Sequence, residues 1–412
     1  MNDVCYPKTH PMLSVTQAQS AIVNAIDGIH AKEQIPISQA LGRILAESIY
    51  SPIAVPPQNN SAMDGYGFHS SEISENQSFT LSIVGASWAG KPFVGKLAKG
   101  QCIRILTGAT VPEGVDSILA QEQVSVINEQ VVFPSNTSPH KNIRSAGSDV
   151  QQNQLILESG KTLSAIDLGL LASVGLTEIS VKRRLNIGFF STGDELTPLG
   201  ETLAYGQIYD SNRHLLAGLL NHPNYSATDL GIIKDDQNLL EQTLINAAKH
   251  YDLLISTGGA SVGDADFIKQ TLDQCGKVNF WKIAIKPGKP LAFGMIGDCW
   301  FFGLPGNPVA VFVTFEKFVK PALQKLSGTM VRHPIPITAR CAQRLHKQAG
   351  RQEYQRGIVS QTAEGELVVQ LAGGQDSHQL SAASLANCFI VLSAESTGIE
   401  PGETVQIELF NC

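Results

Sequence analysis

Three loops hold most of the residues whose types and spacing could do chemistry, and each loop follows an apolar run. The runs with their loops are LNIGFFSTGDEL (185–196), YDLLISTGGASVGDADF (251–267) and CWFFGLPGNPVAVFVTFEKF (299–318). A helix-like run is predicted after each loop. Because parallel strands present the loops at their carboxyl ends side by side, the pattern predicts one ligand cleft in an α/β sheet.

The first loop offers both a backbone contact for an anion and a carboxylate. Ser191, Thr192 and Gly193 are small enough to let backbone N–H groups approach an anion. Asp194 and Glu195 follow at the predicted helix start, where a carboxylate suits a metal or simply interacts with the helix dipole. The dipole interpretation is the commoner one, so this loop alone does not establish a site.

The second loop is more specific, because adjacent glycines and small hydroxyl residues make a turn that can wrap a phosphate. Gly258, Gly259 and Ser261 are its candidate phosphate contacts. Asp264 and Asp266 follow, and two carboxylates beside a phosphate loop are what Mg²⁺ needs to bridge protein and phosphate oxygens. Capping of the next helix explains the same two residues equally well.

Three lysines follow in WKIAIKPGKP: Lys282, Lys286 and Lys289. Alternation along one strand would put Lys282 and Lys286 on the same face. A lysine on a strand beside a loop usually contacts only solvent. Three lysines so close together in an acidic chain nevertheless favour a local cationic site for an oxyanion.

The third loop, LPGNPVA, predicts a strand-to-helix turn. Asn307 is the expected helix cap, and Pro308 the first helical residue, where a missing N–H group costs nothing. A purely structural turn would have the same sequence. This loop is therefore informative only together with the other two.

Helices and strands must position these loops. Ser14 and Gln17 form a capping box that predicts a first helix, and a second helix is expected at about 38–49, capped by Ser38. From about 51 to 147 the chain changes to short β-rich runs separated by Gly, Pro and Asn turns. This pattern predicts a separate β domain.

The helical pattern returns after the β-rich block. Ser164 and Asp167 form a second capping box, and Gly175 is the expected C-terminal cap of that helix. We therefore expect residues 51–147 to be an insertion between helical segments that pack together. The hypothesis rests on the return of the pattern alone.

The predicted fold class is multidomain α/β plus β, with a mostly parallel central sheet that has helices on both faces. Further helices are expected after Ser211, after Asp236 and, as a long helix, from Pro308. The last β-rich block suits a small barrel. The expected domains are an elongated N-terminal and linker region (1–50 and 148–175), an inserted β domain (51–147), an α/β domain (176–328) and a C-terminal β-barrel (329–412).

Composition limits the function classes. The 412 residues are 43% hydrophobic and only 16% charged, with a net charge of -7, which argues against a nucleic-acid binder. No run reaches the roughly 18 apolar residues of a membrane span, and no secretion signal is recognisable, so we expect a cytoplasmic protein. The cysteines are scattered without a C-x-x-C pair and are expected to be reduced, mostly buried thiols: Cys5, Cys102, Cys275, Cys299, Cys341, Cys388 and Cys412.

Motifs along nearly the whole chain resemble the molybdopterin molybdenumtransferase family, the MoeA type also seen in the catalytic domain of gephyrin. They are NNSAMDGYGF, RILTGATVP, STGDEL, YDSNRHLL, GIIKDD, STGGASVGDADF, WKIAIKPGKP, GLPGNPVA, YQRG and SLANCFIVL, in the family's order. The resemblance implies an enzyme that uses molybdate, adenylylated molybdopterin and Mg²⁺ to make molybdenum cofactor, with release of AMP.

The resemblance also implies site residues. The implied catalytic residues are Asp64, Thr107, Glu195, Asp235 and Asp266, of which Glu195, Asp235 and Asp266 would bind the metal; the implied substrate contacts are Lys282, Lys286, Pro305, Pro308, Arg356 and Ser377. The chain departs from the family pattern near Ser377, where it reads QDSH, and has Gly67 where alanine is common. Asp264 and Phe267 stand where glutamate and tyrosine are common. We expect Gly67 only to loosen a turn.

A homodimer is implied as well, in which the β domain of one subunit faces the α/β cleft of the other. Asp64 and Thr107 would then act across the dimer. Transient contact with the molybdopterin adenylyltransferase and with proteins that process the cofactor further is also expected.

Two alternatives remain open from the sequence. A pterin-binding adenylyltransferase shares the α/β core but would consume ATP, and the extra β blocks and AMDGY argue against it. A scaffold protein, as the resemblance to gephyrin allows, would keep an idle pocket. The carboxylates and lysines favour an enzyme over a scaffold.

Overall fold

The computed structural model describes residues 12–74, 76–234, 236–258 and 276–410, and the chain forms two compact units. We call residues 34–41 and 45–181 the β unit, and residues 1–33, 42–44 and 182–412 the cleft unit. Two units are a coarser division than the four expected domains, whose boundaries stay a prediction.

The helices begin largely where side-chain caps predict them. Within the described residues they are α1 (Val15–Ala25), α2 (Ala165–Ser173), α3 (Ser211–Leu219), α4 (Gln237–Ala247), α5 (Pro308–Thr314), a π-helical stretch (Phe315–Val319), α6 (Lys320–Leu326) and α7 (Leu380–Leu385). Both predicted capping boxes are present, at Ser14 and at Ser164. None of these helices is long and apolar enough to cross a membrane.

Gly175 follows the end of helix α2 and caps it as predicted. This residue has a φ of 82°, and its N–H group donates to the Ala172 carbonyl while that of Leu176 donates to the Leu171 carbonyl. Glycine is favoured because this backbone conformation strains a residue with a Cβ atom.

The expected second helix at 38–49 is wrong. Only a 3₁₀ turn, Ile37–Gln39, forms there. Gly42 then adopts a φ of 73°, and the Ala46 N–H group donates to the Ser180 carbonyl at 2.9 Å. Pairing with a distant segment thus overrides the local helical spacing.

The first twelve strands lie largely in the β unit. They are β1 (Lys32–Pro36), β2 (Ile49–Tyr50), β3 (Asn60–Ser61), β4 (Gly65–Phe68), β5 (Phe79–Ser87), β6 (Gln101–Ile105), β7 (Ser117–Ala120), β8 (Ser125–Ile127), β9 (Gln130–Phe133), β10 (Ile143–Arg144), β11 (Leu155–Leu157) and β12 (Glu178–Lys182). The β unit's main sheet has the order β7-β4-β6-β5-β9-β8. Gly67 lies within buried strand β4 and not in a turn, and a Cβ atom there would come within 2.9 Å of Val115.

The remaining strands belong to the cleft unit. They are β13 (Leu185–Thr192), β14 (Leu196–Thr197), β15 (Ile208–Tyr209), β16 (Tyr225–Ile233), β17 (Leu253–Thr257), β18 (Gly276–Lys282), β19 (Ile285–Lys286), β20 (Pro290–Ile296), β21 (Cys299–Leu304), β22 (Ile337–Cys341), β23 (Leu345–His346), β24 (Gln352–Gln361), β25 (Leu367–Leu371), β26 (Cys388–Leu392), β27 (Gly398–Ile399) and β28 (Thr404–Leu409).

The three apolar runs form neighbouring parallel strands, as predicted. The central sheet has the order β16-β13-β17-β21-β20-β18, in which β16, β13, β17 and β21 are parallel, β20 runs antiparallel to β21, and β18 runs antiparallel to β20. Phe189, Ile255 and Phe302 pack in one core cluster with α3 and α5, whereas the residues beside them, Phe190, Leu254 and Phe301, pack with α4. This alternation confirms helices on both faces of the sheet.

The predicted helix after the first loop is wrong. Asp194 and Glu195 lie in a turn that leads into β14, which pairs in parallel with β15, and a helix begins only at Ser211. Pro198 and Gly200 follow β14. Proline disfavours the helical conformation of the residue before it, so a helix does not start here.

The predicted small barrel is confirmed. Strands β24-β25-β22-β28-β26 follow one another, and pairing of β26 with β24 closes the ring. Val369, Ile390 and Ile407 lie in its core cluster and are fully buried.

Four of the cysteines are free and buried as predicted: Cys102, Cys299, Cys341 and Cys388. Burial raises the pKa of the Cys102 and Cys299 thiols to about 12, which keeps them protonated and unreactive. Cys5, Cys275 and Cys412 lie outside the described residues.

Candidate functional site

The strand-end loops meet directly at the carboxyl edge of the central sheet. The Ser191 hydroxyl, at the end of β13, lies 2.9 Å from the Thr257 hydroxyl at the end of β17. Gly258 has a φ of 85°, and a Cβ atom there would overlap the Thr192 carbonyl. A Cβ atom on Gly306, after β21, would lie 3.9 Å from the Gly258 Cα. The described ends of the three loops therefore form one contiguous surface.

The start of helix α3 is bonded to these loops. Asp210, which is 1% exposed, accepts hydrogen bonds from the Ser191 hydroxyl at 3.1 Å and from the Arg213 N–H group at 3.2 Å. The Asn212 amide donates to the Gly306 carbonyl at 2.6 Å. Sequence reasoning missed Asp210 and Asn212, because an acidic residue just before a helix is usually only a cap. The only signal was their place in the motif YDSNRHLL.

Glu195 lies exposed beside the end of β13. Gly193 has a φ of 144°, and a Cβ atom there would come within 2.5 to 2.8 Å of the Glu195 carboxylate. The positive φ favours glycine at this position, and a Cβ atom would displace the Glu195 carboxylate from the loop. Five other candidate residues, Asp235, Gly259, Ser261, Asp264 and Asp266, lie outside the described residues.

The prediction that Lys282 and Lys286 share one strand face is wrong. Strand β18 ends at Lys282, where the chain leaves the sheet, and Lys286 lies in β19, which pairs with β24 of the barrel. The Ile283 N–H group donates to the Lys289 carbonyl at 2.9 Å, so the chain turns back between Lys282 and Lys289. All three lysines are exposed, but a turn and not strand alternation groups them.

Lys286 already has one anionic partner. Its ammonium group lies 3.0 Å from the carboxylate of Glu353, whose side chain is almost fully buried. Lys282 and Lys289 have no ion-pair partner among the described residues. Their charges are the more available ones for a ligand.

The third loop is fixed by the C-terminal barrel. Pro305 is buried, Pro308 begins helix α5, and Asn307 precedes it at the cap position without a side-chain bond to the helix. The Val309 N–H group donates to the Ser377 carbonyl at 3.2 Å. Ser377 therefore touches the helix start through its backbone.

Arg356 is bonded to the loop of the C-terminal domain that carries Ser377. It is 1% exposed, and its guanidinium donates to the carbonyls of Gly374 at 3.1 Å and Asp376 at 3.2 Å. Burial lowers the pKa of this guanidinium, and the nearby carboxylates of Glu353 and Asp376 oppose that effect. The contacts show Arg356 holding the loop that carries Ser377.

Asp64 and Thr107 come together in the β unit, although they are far apart in sequence. Asp64 Oδ1 accepts hydrogen bonds from the Thr107 N–H group at 2.8 Å and from its hydroxyl at 2.7 Å. These bonds hold the pKa of the Asp64 carboxyl below its ordinary value, and the charge of Arg104 adds to the effect. Both side chains are exposed. The pair presents a carboxylate that stays ionised at neutral pH.

Comparison with known proteins matches three consecutive parts of the chain to family models. Three family models match: the MoeA N-terminal region (domain I and II) over residues 13–175, a probable molybdopterin binding domain over 188–325, and the MoeA C-terminal region (domain IV) over 338–410. A molybdopterin molybdenumtransferase from Haemophilus influenzae is 44% identical over 97% of this chain and 99% of its own length.

Two further matches span almost the whole chain. Gephyrin from Dictyostelium discoideum is 31% identical over 98% of this chain, which spans 63% of that protein. The crystal structure of a molybdopterin biosynthesis MoeA protein from Pyrococcus horikoshii OT3 superposes with a TM-score of 0.84 and 26% identity, over 97% of this chain and 100% of that one.

Proposed function

This chain belongs to the molybdopterin molybdenumtransferase family, and we propose that it inserts molybdenum from molybdate into adenylylated molybdopterin with release of AMP. The family resemblance expected from the motifs is confirmed, and the chain is a transferase of molybdenum cofactor biosynthesis. The observation that supports the finer proposal is the contiguous surface formed by Ser191, Gly258 and Gly306, together with the exposed charges of Lys282 and Lys289 in the same unit.

Charge explains why such a cleft suits these substrates. Molybdate is a dianion and the adenylylated pterin carries a pyrophosphate, so both need cations and backbone N–H groups around them. Lys282 and Lys289 supply exposed charge, and Gly258 allows close backbone approach. Holding both anions in one cleft converts a bimolecular step into an effectively intramolecular one.

Mg²⁺ is part of the proposal. Glu195, Asp235 and Asp266 would hold it, and it would neutralise charge on the pyrophosphate. Glu195 fits that role, because its exposed carboxylate lies over the first loop. No group of three His, Cys, Asp or Glu side chains that could hold a metal occurs within the described ranges, from which Asp235 and Asp266 are missing.

The proposed enzyme is a cytoplasmic homodimer in which Asp64 and Thr107 of one subunit complete the cleft of the other. The supporting observation is that Asp64 is exposed and kept ionised by Thr107, with no bond to its Oδ2 from the described residues. Transient contacts with the adenylyltransferase that supplies the pterin, and with later cofactor-processing proteins, belong to the same proposal.

Mixed dimers test the shared cleft. An Asp64→Asn chain and a Glu195→Gln chain should each be inactive alone. Mixing them under conditions of subunit exchange should restore part of the activity, because half of the sites in a mixed dimer combine an intact Asp64 with an intact Glu195. Size-exclusion chromatography with light scattering verifies the dimer, and mixed dimers without recovered activity would contradict a shared site.

The overall reaction is tested by incubating the chain with adenylylated molybdopterin, molybdate and Mg²⁺. We expect AMP and active cofactor to form together, and Glu195→Gln serves as the matched inactive control. Absence of AMP would overturn the proposal. Consumption of ATP with unmodified molybdopterin would instead indicate the adenylyltransferase alternative.

A further inference from the structure

The described carboxyl ends of β13 and β17 and the turn after β21 are all bonded, directly or through one hydroxyl, to the same short segment at the start of α3. Asp210 contacts Ser191 at the end of β13, and Ser191 contacts Thr257 at the end of β17. Asn212 contacts Gly306 after β21. The segment lies beside all three loops because β14 and β15 carry the chain back to the sheet edge before α3 begins.

The bonds around Asp210 have a defined direction. A carboxylate only accepts, so the single Ser191 proton is donated to Asp210. The Ser191 oxygen is then left to accept from the Thr257 hydroxyl at 2.9 Å. Asp210 thereby orients two hydroxyls on two different strands. Its second oxygen, Oδ2, lies 3.3 Å from Arg213 Nε, which keeps the buried carboxylate charge-paired.

Asn212 is constrained in the same way. Its amide nitrogen is committed to the Gly306 carbonyl at 2.6 Å, and its side-chain oxygen is buried without a hydrogen-bond partner in the described part of the chain. A buried amide that forms only one of its bonds is costly for a stable fold. Such a residue is better explained by a need to hold the Gly306 turn than by stability.

We propose that Asp210 and Asn212 are positioning residues that set the spacing of the three strand-end loops, so that the cleft is preformed for its anionic ligand. The assignment of that ligand rests on the proposed function, whereas the positioning of the loops does not. Reacting groups misplaced by about 1 Å can lose on the order of 100-fold in rate, so loop spacing has a direct catalytic consequence.

The competing explanation is that Asp210 merely caps α3. Two substitutions separate the roles, because serine and asparagine are both good caps. Asp210→Asn keeps the length and an acceptor oxygen, whereas Asp210→Ser keeps the cap but is too short to reach Ser191. Asn212→Ala removes the link to Gly306 without touching the cap. Ser14→Ala, which removes the capping box of α1 in the same unit, is the control for loss of a cap alone.

Two measurements are made on the full chain. Hydrogen exchange without ligand should be faster at residues 191–193, 257–258 and 306–307 in Asp210→Ser, faster around residue 306 in Asn212→Ala, and unchanged at all of these in Ser14→Ala. Equilibrium binding of adenylylated molybdopterin should weaken about tenfold or more in Asp210→Ser and less in Asp210→Asn, while Ser14→Ala lowers only the Tm.

The outcomes are distinguishable. If Asp210→Ser and Asn212→Ala leave both loop exchange and binding unchanged, the inference is overturned and Asp210 is only a cap. If the parent chain releases no AMP while the variants still loosen the loops, the proposed function fails and the positioning role stands. Should Asp210→Ser not fold, Asp210→Asn and Asn212→Ala provide the same two readouts.

Discussion

The cleft unit and the β unit each place an aspartate next to a threonine or serine, but the two carboxylates are used differently. Asp210 is buried and accepts from Ser191 and Arg213, with Arg213 also beside its second oxygen. Asp64 is exposed and accepts from Thr107 through one oxygen only. The carboxylate of Asp210 is closed off from solvent and charge-paired with Arg213, so it suits positioning. The exposed one is oriented but keeps an oxygen for a ligand.

The largest expected effect comes from removing the exposed carboxylate. Asp64→Asn should lower kcat on the order of 100-fold, because a preoriented charge at a reacting centre is lost. The Tm should change little, since Asp64 is exposed and asparagine keeps an acceptor oxygen for Thr107. Rates of AMP release and thermal unfolding of the same preparation check both statements.

Thr107→Val is the matched control for Asp64. It removes the hydroxyl bond but keeps the backbone N–H bond. Its loss of activity should therefore be smaller than that of Asp64→Asn. Equal losses would mean that the pair acts as one structural unit and not as an oriented carboxylate.

How much of the fold and the site could be predicted depended on whether the contacts are local in sequence. Patterns local in sequence were sufficient for the three strands, both capping boxes and the barrel. The helix expected at 38–49 failed because Ala46 bonds to Ser180, and the strand face expected for Lys282 and Lys286 failed because Lys286 joins the barrel. Asp210 and Asn212 were not predicted, because their partners Ser191 and Gly306 are distant in sequence. Long-range contacts of this kind leave no periodic signal.

A substitution at the loop junction should affect stability more than any surface change. Gly258→Ala combines a strained φ of 85° with overlap of the Thr192 carbonyl. We expect it to lower the free energy of unfolding of the cleft unit by about 2 to 4 kcal/mol. Urea unfolding, followed by Trp fluorescence, measures the change.

Gly297→Ala is the control for strain without overlap. Gly297 lies in the turn between β20 and β21 and has a φ of 58°, and a Cβ atom there would have no neighbour within 4 Å. Gly297→Ala should lower the free energy of unfolding by about 1 kcal/mol. If the two alanines cost the same, close packing of the loops does not constrain Gly258.

A smaller, pH-dependent effect is expected from the buried carboxylate of the β unit. Burial raises the pKa of Asp167, but hydrogen bonds from Lys161 and Ser164 lower it by more, so the pKa lies below the ordinary aspartate value. Its contribution to stability is therefore complete above that ordinary value and is lost as the pH falls through the folded-state pKa.

Asp167→Asn should lower the free energy of unfolding by about 1 to 2 kcal/mol at pH 7, because it removes a buried charged hydrogen bond. The difference from the parent chain should shrink in acid, as Asp167 of the parent chain becomes protonated. Unfolding in urea between pH 7 and pH 3 tests the sign. A difference that grows in acid would contradict the lowered pKa.

The smallest effect should come from an exposed ion pair that is nearly as short as the 2.5 Å contact between Lys161 and Asp167. Lys96 and Glu113 are 2.6 Å apart, with side chains that are 67% and 72% exposed, and Glu113 raises the pKa of Lys96 through its hydrogen bond. Solvent and salt screen such a pair, and ordering two long side chains opposes it. We expect Glu113→Gln to leave the urea midpoint of the β unit unchanged at 0.15 M salt. A loss as large as that of Asp167→Asn would show that distance, and not burial, decides what a carboxylate contributes in this unit.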